Sequence, residues 1–181
     1  MPRPIFVLGD CSGSMESIRD DTIGGYNSFV DEQMALNPDG LLTLWLFDHE
    51  IFKVYENVPL REAPHLTRQN FKPRGSTHLL DTIGEALRSA NPIAEPPIMV
   101  IFTDGEENGS KKFTKAGIKE MIEQKTSEGW TFVYLGANQD AFAEAGSMGI
   151  AAQATMNYDV TRTPEAFRSL SATVSNYTQN V

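Results

Sequence analysis

Oxygen-bearing side chains occur at three separate points of the sequence, each beside a predicted strand or helix. Asp10, Ser12 and Ser14 follow a short apolar run, and Asp104 follows another. Thr77 directly precedes a segment with helical spacing. Two carboxylates and three hydroxyls, with no need of His or Cys, suit a hard cation such as Mg²⁺, Mn²⁺ or Ca²⁺ and not Zn²⁺ or Cu²⁺. The residue types therefore predict a divalent-cation site formed by Asp10, Ser12, Ser14, Thr77 and Asp104.

Short apolar runs alternate with segments of helical spacing, a pattern typical of βαβ units around a mostly parallel sheet. The predicted strands are Ile5–Leu8, Leu41–Phe47, Ile51–Tyr55, Ile98–Phe102 and Trp130–Leu135, with a short sixth strand around Gln153–Met156. Only three residues separate the second and third strands, so the third is expected to turn back antiparallel at a sheet edge. Open α/β sheets bind ligands at the carboxyl ends of their strands, and the predicted site residues are expected to meet there.

Apolar residues at helical spacing predict three crossover helices, which begin near Met15, Leu79 and Phe113, and a last helix over Pro164–Tyr177. Gly24 and Gly25 lie inside the first of them, where each costs roughly 1 kcal/mol relative to alanine. A close backbone approach is the expected compensation. The stretch Glu56–Ser76 has no periodicity and contains three prolines. It is expected to be a long loop, and long loops are often functional.

The length of 181 residues predicts a single α/β domain over 1–181. The net charge of −9 makes nucleic acid and anionic membranes poor partners. No apolar run approaches the length of a membrane span or of a signal-peptide core. Cys11 is the only cysteine, which excludes an internal disulfide and favours a reducing compartment such as the cytoplasm.

Three motifs together resemble the metal-ion-dependent adhesion site of the von Willebrand factor A domain family. They are Asp-x-Ser-x-Ser at 10, 12 and 14, a threonine at 77 in Gly-Ser-Thr, and Thr-Asp-Gly at 103–105. The resemblance covers essentially the whole chain and is to the stand-alone intracellular type. It implies a Rossmann-like, doubly wound sheet of strand order 3-2-1-4-5-6 with one antiparallel edge strand. It also implies that Ser12, Ser14 and Thr77 approach the ion most directly, while Asp10 and Asp104 act largely through waters.

The function implied by this resemblance is protein–protein recognition without catalysis. With both carboxylates in the outer shell, neutral hydroxyls and waters leave Mg²⁺ or Mn²⁺ electrophilic, and an Asp or Glu of a partner protein can replace one water. The resemblance also leaves open a structural role as a subunit of a larger complex, such as an AAA+ ATPase or a stress-response system. In some relatives the last helix slides when the site engages a ligand, and here that helix would be Pro164–Tyr177.

An enzyme is the less favoured alternative. Asp10 could attack phosphorus beside Mg²⁺, but that chemistry usually needs a second acid two residues on, and position 12 is Ser. The sequence has no Gly-x-x-x-x-Gly-Lys-[Ser/Thr], Gly-x-Gly-x-x-Gly or Gly-x-Ser-x-Gly motif. The chain is therefore expected not to be an enzyme.

Other residues near these motifs keep two interpretations. Glu106 and Glu107 suit a solvated loop or a partner-facing edge, and His78 suits packing or the border of the site. Cys11 is interpreted as a packing residue. The residues that follow the fifth strand are expected on the same sheet edge: Asn138, Gln139 and Asp140. Four basic residues suit a recognition rim for acidic partners and a solvated loop equally well: Arg61, Arg68, Lys72 and Arg74.

Overall fold

A computed structural model describes residues 3–90, 95–104, 107–137 and 140–179 of the chain. Within them one sheet is formed by β1 (Ile5–Asp10), β2 (Leu41–Phe47), β3 (Ile51–Pro59), β4 (Ile98–Thr103), β5 (Thr131–Ala137) and β6 (Thr155–Tyr158). The strand order is β3-β2-β1-β4-β5-β6. Only β3 runs antiparallel to its neighbour. The expected order and the antiparallel edge strand are confirmed.

Helices cover both faces of this sheet, which confirms the doubly wound architecture. The helices are α1 (Arg19–Leu36), α2 (Leu79–Ser89), α3 (Lys115–Ser127), α4 (Ala141–Ser147) and α5 (Thr163–Gln179). One core cluster joins the sheet to α1 and α5, and the other joins it to α2, α3 and α4. The central strands β1 and β4 are buried throughout, which explains their unbroken apolar runs.

Several boundaries differ from the sequence-based expectations. A 3₁₀ helix over Gly13–Ile18 precedes α1, so the regular helix begins later than Met15. Strand β3 continues to Pro59, and the predicted loop is therefore shorter than expected. The strand was predicted only to Tyr55, because its irregular pairing with β2, with a bulge near Leu44, obscures the alternation over residues 56–59. Helix α4 was not predicted, since its seven residues are too few to show a helical period.

The two glycines of α1 have different surroundings. A Cβ atom on Gly25 would lie 2.5 Å from Cδ2 of Phe167, so α5 packs directly on the α1 backbone at this point. A Cβ atom on Gly24 would have nothing within 4 Å. The expected close approach is confirmed at Gly25 and wrong at Gly24.

The segment between β3 and α2 is tied down by its own contacts. Leu66 and Phe71 are buried in the core cluster beneath α1. The Asn27 side chain donates to the Leu66 carbonyl at 2.9 Å and accepts from its N–H at 2.7 Å. These contacts hold the segment against α1 and lead it to the carboxyl edge of the sheet. No helix in the described ranges is long and apolar enough to cross a membrane.

Candidate metal centre

Asp10 ends β1 at the carboxyl edge of the sheet, and its carboxylate is held from two directions. The Ser12 N–H donates to Oδ1 at 2.7 Å, and the Thr103 hydroxyl donates to Oδ2 at 2.6 Å. The side chain is fully buried. Thr103 is the last residue of β4, so the ends of β1 and β4 meet at the Asp10 carboxylate. Both oxygens of this carboxylate accept a hydrogen bond.

Two serine hydroxyls connect the first loop to the end of β4. The hydroxyl oxygens of Ser12 and Ser14 lie 3.2 Å apart, within hydrogen-bond distance. The Ser14 hydroxyl donates to Oδ1 of Asp104 at 2.8 Å. Ser12 and Asp104 are buried, whereas Ser14 is exposed. Four of the five predicted residues, Asp10 included, are therefore joined in one hydrogen-bonded group that reaches the surface at Ser14.

Thr77 is brought to this group by the loop that precedes α2. The Gly13 N–H donates to the Gly75 carbonyl at 3.0 Å, which places the two loops side by side. Gly75 has a φ of +71°, and a Cβ atom there would lie 2.3 Å from Nδ1 of His49. Glycine is thus required for the turn. Thr77 is buried, and its hydroxyl makes no hydrogen bond within the described part of the chain.

Asn108 holds Thr77 from the other side. Its side-chain carbonyl accepts from the Thr77 N–H at 2.9 Å, and its own N–H donates to the Thr77 carbonyl at 2.8 Å. Neither Asn108 nor Thr103 was predicted as a functional residue. The position of Thr103, directly before Asp104 at the end of a buried strand, was the one available signal; nothing in the sequence connects Asn108 with Thr77.

Solved structures with the same architecture carry von Willebrand domains. The vWF domain of the type V pili tip protein Mfa5 from Porphyromonas gingivalis is 12% identical, with a TM-score of 0.69, over 100% of this chain and 98% of that chain. The von Willebrand factor type A structure from Catenulispora acidiphila is 17% identical, with a TM-score of 0.60, over 96% and 42% of the two chains. This chain has the von Willebrand factor A fold.

A third structure of this fold is that of a protein from the mussel byssus. Proximal thread matrix protein 1 from the mussel byssus, described with a zinc-occupied MIDAS motif (metal-ion-dependent adhesion site), is 14% identical over 97% of this chain, with a TM-score of 0.69. This chain spans about half of that protein, 48% of its length. A scan against protein-family models gives no match, and neither does a search of curated proteins.

The two carboxylates of this von Willebrand factor A fold are buried, and neither has a cationic partner among the described residues. No ion pair within the described residues involves Asp10 or Asp104. Burial raises the pKa of Asp10, against the hydrogen bonds from Ser12 and Thr103. Burial raises the pKa of Asp104, and the negative charge of Asp10 raises it further, against the hydrogen bond from Ser14. Since buried charges are normally paired or bound to metals, a bound cation would supply the partner that these two carboxylates lack among the described residues.

The donor set fits a hard divalent cation. No cluster of three or more His, Cys, Asp or Glu side chains within the described ranges is placed to hold a metal. The candidate centre instead offers two carboxylates, the hydroxyls of Ser12 and Ser14, and the hydroxyl of Thr77, which makes no hydrogen bond to another described residue. Oxygen donors of this kind are those that Mg²⁺ and Mn²⁺ prefer.

Residues around the centre have structural contacts of their own. The His78 ring packs against Gly109, and its Nε2 lies 3.2 Å from the Ser76 hydroxyl. Cys11 is buried in the core, and burial raises the pKa of its thiol to about 12. Glu107 accepts from the Leu80 N–H at 3.3 Å, at the start of α2. Asp140 caps α4 through the Ala143 N–H at 3.1 Å, while Gly105, Glu106, Asn138 and Gln139 lie outside the described residues.

The four basic residues of the β3–α2 segment do not form one group. Arg68 pairs with Asp20 at 2.8 Å, and Arg61 pairs with Asp39. Arg74 pairs with Asp48 at 2.9 Å and with Glu50 at 2.8 Å. Lys72 is exposed and makes no ion pair with a described residue. Three of the four are therefore paired with acidic side chains, and among the described residues Lys72 is the one of the four without such a partner.

Proposed function

We propose that this chain is an adhesion-type recognition domain that binds a protein partner through a divalent cation. The proposed metal residues are Asp10, Ser12, Ser14, Thr77 and Asp104, and the proposed ligand is an Asp or Glu carboxylate of the partner. One observation carries the proposal: two buried carboxylates without a described cationic partner are joined through two serines, of which Ser14 is exposed. The Ser12 N–H donates to Asp10, the Ser12 and Ser14 hydroxyls lie within hydrogen-bond distance, and the Ser14 hydroxyl donates to Asp104.

The arrangement supports a division of labour among these residues. The hydroxyls of Ser12, Ser14 and Thr77 would hold the ion directly, and Asp10 and Asp104 would orient them or bound water. When bound, the cation supplies an electrophilic position that a carboxylate can fill. Asp10 is fully buried and both its oxygens accept hydrogen bonds. It is therefore poorly placed to attack phosphorus, which supports recognition over phosphoryl transfer.

We propose Mg²⁺ or Mn²⁺ as the ion because all the candidate donors are oxygen atoms. The zinc-occupied motif of the mussel protein makes Zn²⁺ the competitor to measure. For the partner, the pilus and byssus proteins of this fold support an adhesive role in an assembly. A cytoplasmic location is proposed from the single cysteine. No contact in the described ranges singles out an AAA+ ATPase as the partner.

Calorimetry with each metal tests the site. The unmodified protein is expected to bind one divalent ion, and Asp10→Ala and Asp104→Asn are expected to lose this binding. Asp20→Asn is the matched control, because Asp20 is an exposed carboxylate on α1 that pairs with Arg68 and is not one of the proposed metal residues. Circular dichroism of each variant checks the fold. Equal metal binding by Asp104→Asn and the unmodified protein would remove the proposed centre.

A pull-down then tests the proposed role of the ion. Proteins retained from source lysate in Mg²⁺ and released by EDTA are expected to lose binding when their acidic contact residue is replaced by its amide. Partners retained unchanged in EDTA would favour a structural role over metal-dependent recognition.

A further inference from the structure

An apolar pocket lies beside the candidate metal centre, on the side of β3. It has a volume of about 340 Å³ and is lined by Cys11, Leu46, Phe52, Asn70, Lys72 and Arg74. Cys11 stands between Asp10 and Ser12 in the chain, and its carbonyl accepts from the Arg74 N–H at 3.0 Å. The pocket and the candidate metal centre therefore share the first loop as a wall.

The floor of the pocket is apolar and one of its walls is an exposed aromatic ring. Cys11 and Leu46 are buried, and Phe52 is 39% exposed. Large exposed hydrophobic side chains within the described residues are Leu36, Phe52 and Phe142. Phe52 pairs with Leu46 near the carboxyl end of β2, and Phe142 lies in the helix that follows β5. Two of these three exposed side chains thus belong to the edge of the sheet that carries the candidate site.

Two basic side chains lie on the rim of the pocket, and one of them has no ion-pair partner among the described residues. The Arg74 guanidinium lies 5.3 Å from the centre of the Phe52 ring, and its charge is used by Asp48 and Glu50. Lys72 has no such partner within the described chain. The unpaired Lys72 beside an apolar floor is locally complementary to an acidic segment that carries an apolar side chain.

We propose that this pocket selects the partner by receiving an aromatic side chain of the same acidic segment whose carboxylate binds the cation. The inference rests on the proposed function and adds the identity of a neighbouring residue in the partner. The pocket volume of about 340 Å³ lies at the lower end of the roughly 300–1,000 Å³ of ligand pockets. Its size therefore suits a single side chain. Aromatic side chains that fill such pockets supply much of the affinity of protein interfaces. Lys72 favours segments with a second acidic residue.

A synthetic peptide panel tests the inference without a known partner. Each peptide carries one Glu and one Phe on a Gly/Ser background, with the Phe at varied positions on either side, and each has a counterpart with Ala in place of Phe. Affinity is measured by fluorescence polarisation in Mn²⁺ and in EDTA. The best Phe peptide is expected to bind about tenfold more tightly than its Ala counterpart in Mn²⁺, with no binding of either in EDTA.

Three variants locate the effect. Phe52→Ser is expected to abolish the gain from Phe, and Lys72→Glu is expected to weaken both peptides. Lys53→Glu makes the same charge change on the opposite face of β3, where Lys53 lies 4.8 Å from the Trp45 ring. It is expected to bind as the unmodified protein does. Calorimetry of all three should show unchanged metal affinity.

The outcomes separate this inference from the proposed function. Equal metal-dependent binding of Phe and Ala peptides would overturn the pocket and leave carboxylate recognition standing. A gain from Phe that survives in EDTA would also overturn it, because one segment must engage both features. If the metal binds and no peptide does, both proposals fail. If sedimentation shows that the unmodified protein self-associates and that Phe52→Ser does not, the pocket binds a second copy of this chain, and the inference is overturned.

Discussion

The Ser14 hydroxyl donates a 2.8 Å hydrogen bond to Oδ1 of Asp104, across a separation of 90 residues. The bond joins the loop after β1 to the end of β4, which is the neighbouring strand in the sheet. It also links an exposed hydroxyl to a buried carboxylate. A partner can therefore reach the candidate centre at Ser14, whereas Asp10 and Asp104 are buried below it.

Replacing this hydroxyl should weaken metal binding and leave the fold intact. For Ser14→Ala we expect the metal affinity to fall by roughly tenfold or more, since groups that orient or complete a metal site have effects of that size. The free energy of unfolding without metal should change little, because Ser14 is exposed. Calorimetry and urea unfolding measure the two quantities. Ser17→Ala, an exposed serine in the same 3₁₀ helix, should match the unmodified protein; an unchanged affinity in Ser14→Ala would contradict the assignment.

The two glycines of α1 should respond in opposite directions to the same substitution. Gly24→Ala adds a methyl group in open space, so it should stabilise the protein by about 0.5–1 kcal/mol through helix propensity. Gly25→Ala should destabilise it, because the methyl group would meet the Phe167 ring. Urea unfolding of both variants measures the difference. Equal effects would show that α5 does not pack on Gly25 as described.

The metal-free protein should become more stable as the solution is made mildly acidic. Burial raises the pKa of Asp10 and of Asp104 above the ordinary value of 3.8. At a pH above 3.8 and below the raised pKa values, the native state holds protons that the unfolded chain has released. The free energy of unfolding therefore rises as the pH is lowered from neutral into that range. Urea unfolding in EDTA measures this slope.

The comparison for this pH effect is Asp10→Asn, which removes one of the two titrating groups. The slope of its unfolding free energy over the same pH range should be shallower than that of the unmodified protein. Saturating Mg²⁺ should reverse the trend, since protons then compete with the ion for the same carboxylates. A metal-free protein whose stability falls on mild acidification, identically in both forms, would contradict the burial of uncompensated carboxylates.

Cys11 should resist alkylation in the native protein. Burial raises the pKa of its thiol from 9.0 to about 12. At mildly alkaline pH this lowers the thiolate fraction by about a thousandfold, and iodoacetamide reacts with the thiolate. Mass spectrometry should therefore show slow labelling in buffer and fast labelling in urea, with Cys11→Ser as the unlabelled control. Equal rates in both conditions would place the thiol at the surface.

Much of this architecture could be predicted because it depends on local patterns. The buried strands β1 and β4 are continuous apolar runs, and the three-residue turn after Phe47 forces the antiparallel edge strand. The five candidate metal residues could be proposed from the sequence because they lie at or close to the ends of strands and helices. The structure joins four of them by hydrogen bonds and brings Thr77 alongside through its loop.

The features that could not be predicted depend on contacts between distant segments. Asn108 fixes the backbone of Thr77 from 31 residues away, and no local pattern marks that pairing. Whether a helical glycine is packed or open depends on α5, which lies far along the chain from Gly24 and Gly25. The bulged pairing of β3 with β2 likewise appears only when both strands are in place.

A crystal grown with Mn²⁺ tests the central claim most directly, because anomalous scattering locates this ion independently of the protein atoms. We predict one strong anomalous peak at the carboxyl edge of the sheet, within bonding distance of the hydroxyl oxygens of Ser12, Ser14 and Thr77, and no such peak in Asp104→Asn. An occupied Mn²⁺ position elsewhere, or an edge that stays empty at a Mn²⁺ concentration that saturates calorimetric binding, would contradict the account.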